Sequence, residues 1–174
     1  LNFVARFIDT KQPLALINAI ARLPSPSALR FVGAGELEMQ MREALTKAGL
    51  EAEFPGWIAA PFSQFHDQDV LVLPSLWEGL PYLLQESLDH GVPIIASDNP
   101  GNAAALADGA YGALFPVGDD AALAAAITAA LANLDALKAK AENGRAALRA
   151  RYGADALWRA LSEELQQVSE PSHV

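Results

Sequence analysis

The chain has 174 residues, with 12 basic against 21 acidic side chains, a formal charge of −9 and no cysteine. That charge opposes nonspecific attraction to nucleic acid or anionic lipid, and the lack of cysteine excludes a disulfide framework or a thiolate metal site. The length suits one domain with a substantial core, and the longest apolar stretch, 121 to 134, is mostly alanine and too short to span a bilayer. No nucleic-acid partner and no membrane contact are expected of this segment, and the cytoplasm is the expected compartment.

In chain order, residues 1 to 7 form an apolar run that starts at Leu1 without a Met, as though a larger protein had been cut at a domain boundary. The chain is therefore read as a fragment, residues 1–174 forming a single domain. Further strand-like runs lie near 28 to 33, 52 to 55, 70 to 74, 93 to 97 and 112 to 115. Helical patterns separate them, near 12 to 23, 36 to 49, 61 to 67, 81 to 90, 101 to 107 and 119 to 133. Such alternation predicts an α/β, Rossmann-like parallel sheet of six strands with helices on both faces, because successive parallel strands need crossover helices. Residues 135 to 168 read as two further helices broken at Gly153, the second with an apolar face of Leu157, Ala160, Leu161 and Leu165. Residues 169–174 read as a disordered tail.

The segment 70 to 98 carries the most chemistry. A buried strand ends in Pro74-Ser75, a turn carries Glu78 and Gly79, and a short helix opened by Gly79, Leu80 and Pro81 runs to Gly91 with Glu86 on it. The unpaired N–H groups and positive end of that helix favour an anion such as phosphate. Pro81 has no N–H, so Leu80, Tyr82 and Leu83 are the expected donors. Glu86 lies roughly 7 Å further along the axis, the step from a diphosphate to a ribose, where a carboxylate can accept both ribose hydroxyls as in dinucleotide folds. Taken alone, Glu86 falls opposite the Leu84 and Leu88 stripe, as a solvated surface charge would.

Pro74-Ser75, Glu78, Gly79 and Glu86, followed by Gly91-Val92-Pro93, the strand ending in Ser97-Asp98 and the segment Pro116-Val117-Gly118-Asp119, resemble the signature of the retaining glycosyltransferases of family 4. These are built from two Rossmann-like domains in the GT-B arrangement, and the resemblance places this chain as the carboxyl-terminal, donor-binding half. It implies that Arg6 and Lys11 grip the donor diphosphate, although the family has Gly where this chain has Ala5 and Gln12. It further implies that Glu86 orients the ribose and Glu78 the donor sugar. Gly79, Leu80, Tyr82 and Leu83 would hold phosphate through backbone, and Gly33 with Trp57 and Ile58 would face the nucleotide. Glu78, Arg6 and Lys11 are the catalytic candidates. A UDP- or GDP-sugar is the implied substrate, with no cofactor and no metal. The acceptor, a glycan or lipid-linked sugar, would bind through an amino-terminal domain, without which the segment is expected not to turn over.

Other readings remain beside this one: a sugar-nucleotide-binding module without catalysis, an epimerase of the same architecture, or an unrelated Rossmann-like interaction domain. Gly33-Ala34-Gly35 invites a dinucleotide fingerprint, but Glu38 stands where the third Gly belongs. Asp67 and Asp69 precede their strand and are read as loop residues, not metal ligands. Trp57 is equally a half-buried packing residue, and His90 is read as a helix-end cap.

Overall fold

The computed structural model describes residues 1–24, 27–79, 81–153 and 158. Six parallel strands, β1 (Asn2–Val4), β2 (Arg30–Val32), β3 (Glu53–Gly56), β4 (Leu71–Leu73), β5 (Ile94–Ser97) and β6 (Ala113–Phe115), form one sheet in the order β3-β2-β1-β4-β5-β6. The α/β class and the parallel sheet of the sequence reading are both realised. Pro55 lies in β3 at the sheet edge, where a residue without an N–H leaves no inner ladder bond unmade.

Helices α1 (Pro13–Ile20), α2 (Glu38–Ala48), α3 (Tyr82–Asp89), α4 (Pro100–Ala105), α5 (Asp120–Ala132) and α6 (Leu134–Tyr152) cover the sheet. On one face α1 packs against α2 and α5, and on the other α3 packs against α4 and α6. Alternate residues of each strand serve the two faces. Phe3, Phe31, Val72 and Ile95 point into the α1 layer, while Val4, Val32, Leu71, Leu73 and Ile94 point into the α3 layer. Phe31 has no exposed surface and stacks on Phe54 at 5.3 Å between centroids, with Phe3 tilted against it and Phe7 edge-on. Truncating such a ring to alanine costs about 3–5 kcal/mol.

The helices start where the local chemistry sets them. Asp119 caps α5 by accepting from the N–H groups of Ala121 and Ala122, and Asn133 caps α6 through Ala136. The predicted helix at 61 to 67 is only a 3-10 turn, Pro61–Gln64. Pro61 presets one turn, but Phe65 is already extended and a second turn, Asp69 N–H to His66 O, leads into β4. Gly153 follows the end of α6, as expected of a break. The second expected terminal helix, with Leu157, Ala160, Leu161 and Leu165, and the expected tail at 169–174 lie outside the described residues. Among the described residues no single helix is long and apolar enough to cross a membrane.

Candidate functional site

The order β3-β2-β1-β4-β5-β6 reverses direction between β1 and β4, and those two strands share only the pair Asn2↔Leu71. In open α/β sheets the crevice beyond the carboxyl ends at such a reversal is where ligands bind. Here it is a hollow of 450 Å³ floored by Val4 and Leu73, the last residues of the two strands. Arg6 and Lys11, from the connection after β1, line it together with Glu78, Pro81, Tyr82 and Leu83, from the connection after β4, and with Trp57. Two segments more than sixty residues apart in sequence thus deliver two cations and a carboxylate to one space.

The cations are not equivalent. Arg6 is exposed, whereas Lys11 is half-buried and its Nζ donates to Glu78 Oε1 at 2.5 Å. The two connections are also joined through backbone, Leu76 N–H to Thr10 O at 2.9 Å. Lys11 closes a 3-10 turn, Asp9–Lys11, and Gln12 after it takes φ 53°, ψ 47°. The loop therefore keeps a left-handed conformation that favours glycine although a glutamine occupies it.

The helix after Glu78 begins one residue later than the sequence suggests. Pro81 is its flanking residue, with ψ 86°, and α3 runs from Tyr82. The N–H of Leu84 already donates to Pro81 O, so Tyr82 and Leu83, at the first two helical positions, are the donors without an intrahelical acceptor. Gly79 sits in the turn beside the Trp77 ring. Leu80 lies outside the described residues.

Glu86 is the fifth residue of α3 and exposed. It lines a second hollow, of 890 Å³, between α3 and the end of α6, together with Gln85, Asp89 and Arg149. Tyr82 lines both hollows and links them. The larger hollow lacks the convergence of cations and strand ends found in the smaller one.

Gly33 and Ile58 do not line the crevice. Ile58 is half-buried against the α3-side core. A Cβ on Gly33, whose φ is +139°, would lie 2.0 Å from Ala5 O, and one on Gly35 would lie 2.3 Å from Phe7 O. With Phe7 N–H donating to Ala34 O and Leu37 N–H to Phe7 O, these glycines let the loop after β2 lie against the loop that carries Arg6. That close approach, not a dinucleotide fingerprint, is what the Gly-Ala-Gly spacing signals. Trp57 is 76% exposed, which removes its reading as a packing residue.

Asp69 is at the amino end of β4, as expected, but it is anchored: its carboxylate accepts from Asn2 Nδ2 and from His66 N–H. His90 caps α3, its N–H donating to Glu86 O. The sequence reading did not single out the buried polar cluster Ser75, Ser97, Asn99 and Asn102 beneath the Glu78 turn, for which Ser97-Asp98-Asn99 ahead of Pro100-Gly101 was the available signal.

The family model described as Glycosyl transferases group 1 matches residues 1–147. The lipopolysaccharide core biosynthesis glycosyltransferase LpsE of Rhizobium meliloti is 28% identical over 156 residues, which cover 88% of this chain and 46% of that protein. The phosphatidyl-myo-inositol mannosyltransferase of Mycobacterium leprae is 31% identical over 145 residues, 82% of this chain and 37% of the relative. Among solved structures, Anabaena HepE in complex with UDP superposes with a TM-score of 0.79 at 21% identity, over 95% of this chain and 48% of that one. The chain thus spans less than half the length of these proteins.

Proposed function

This chain belongs to the group 1 glycosyl transferases, and we propose that it is the donor-binding half of a retaining enzyme that uses a UDP- or GDP-sugar. The observation that carries the reading is the meeting of Arg6, Lys11 and Glu78 in one crevice at the reversal of strand order. The UDP complex of the structurally similar HepE supports it.

In this reading the donor diphosphate lies against Arg6, Lys11 and the N–H groups of Tyr82 and Leu83. As the bond from the anomeric carbon to the diphosphate oxygen breaks, its electron pair stays on the diphosphate, and these groups stabilise that charge without a metal or other cofactor. Arg6 offers a planar fork for two oxygens, and Lys11 a point charge. Glu78, beside Lys11, orients the sugar, and Trp57 with neighbouring backbone faces the base. Glu86 reaches the ribose from the neighbouring hollow, with Tyr82 between. The acceptor, a glycan or lipid-linked sugar, binds through a further domain.

Calorimetric titration of the chain with UDP and GDP tests this. Saturable binding of either, weakened by Arg6→Ala, is the expected result; no binding of either nucleotide rejects the site. Assay of the protein that contains this chain, with several sugar nucleotides, separates transfer from binding alone or epimerisation.

A further inference from the structure

The turn between β5 and α4 lines none of the crevice, yet it lies directly under the turn that carries Glu78. Ser97 Oγ donates to Ser75 O at 2.5 Å, and Asn99 Nδ2 to the same carbonyl at 3.2 Å. Asn102 Nδ2 donates to Ser97 O at 2.9 Å, and Asn99 Oδ1 accepts from Asn102 N–H, capping α4. All four residues are at least 98% buried, so each bond is formed away from competing water. Gly101, in the first turn of α4, completes the seat: a Cβ there would stand 2.3 Å from Glu78 O and 2.8 Å from Gly79 O. Its φ is not in the left-handed range, so conformation does not call for glycine. Space does.

The backbone resting on Gly101 is that of Glu78, whose carboxylate holds Lys11, and Leu76 in the same turn is bonded to Thr10. A path of direct contacts therefore runs from Gly101 through Glu78 to the cation proposed to meet the diphosphate. We infer that Gly101, with the Ser97–Asn99–Asn102 cluster, is a positioning element that sets the height of Glu78 and through it the place of Lys11. This rests on the donor reading given above.

The test is a double-mutant cycle on UDP affinity, using the parent chain, Gly101→Ala, Lys11→Met and the double variant, each titrated below its own melting transition. Gly101→Ala is expected to weaken UDP at least tenfold in the parent and by less than twofold in the Lys11→Met background. An equal loss in both backgrounds, or a lowered melting transition with unchanged UDP affinity, means that Gly101 only supports the fold, and overturns the inference. Should Gly101→Ala not fold, Ser97→Ala takes its place under the same criteria. If the parent binds neither UDP nor GDP, the donor reading falls and this inference with it; if it binds GDP alone, the same cycle is read with GDP.

Discussion

Lys11 and Glu78, separated by 67 positions in the chain, form an ion pair of 2.5 Å with only 24% and 11% of their side chains exposed. The pair keeps the ammonium in place at the crevice, so its ordering cost is met before any ligand arrives. Lys11→Met should weaken UDP binding by ~10- to 100-fold, the ~1.5–3 kcal/mol of a hydrogen bond to a charged group. Glu78→Gln keeps an oxygen that accepts from Lys11 while removing a negative charge beside the phosphates. UDP affinity should then stay within about threefold, while sugar transfer by the protein containing this chain falls by roughly a hundredfold or more. Titration and steady-state rates on the same preparations check both.

Glu86 opens onto a different hollow from Arg6 and Lys11, so its effect should depend on the ribose. Glu86→Ala is expected to lower UDP affinity by about tenfold, one lost charged hydrogen bond, and to leave inorganic diphosphate binding unchanged. An equal loss for both ligands would move Glu86 from the ribose to the phosphates.

Gly33 combines φ +139° with a Cβ position 2.0 Å from Ala5 O. Gly33→Ala meets both backbone strain and a collision with main chain, and should destabilise by on the order of 3 kcal/mol. For a domain of this size that is a melting transition lower by roughly 6–12 °C, measurable by calorimetry or circular dichroism.

Gln12 holds a left-handed conformation without being glycine. Gln12→Gly should leave thermal stability the same or slightly higher, since relief of strain offsets the added freedom of the unfolded chain. Gln12→Val, branched at Cβ, should lower it by about 1–2 kcal/mol. Equal melting temperatures for the two variants would mean that the loop relaxes around the residue.

The sheet was legible because parallel strands buried on both faces read as continuous apolar runs, such as Val70 to Leu73 and Ile94 to Ala96. The lengths were less so: the run at 1 to 7 contributes only Asn2–Val4 as strand, since Phe7 continues the apolar pattern by turning into the core beyond the sheet. The turn carrying Glu78 and Gly79 was placed at a strand's carboxyl end by its Pro-Ser and Gly punctuation. The separation of Glu86 from Lys11 was not legible, because the hollow it lines is made with Arg149 and the end of α6, more than sixty residues away. Nor was the role of Gly101, since a glycine required for space alone carries no turn signature in the sequence.

β1 and β4 lie side by side, but the helices that follow them depart to opposite faces, α1 to one layer and α3 to the other. A nucleotide wedged at their ends would touch the roots of both departures at once. Occupancy would therefore clasp together two slabs of the interior at a point remote from the α5–α6 junction that also joins them, and loosening of either slab would be resisted by the same bound molecule.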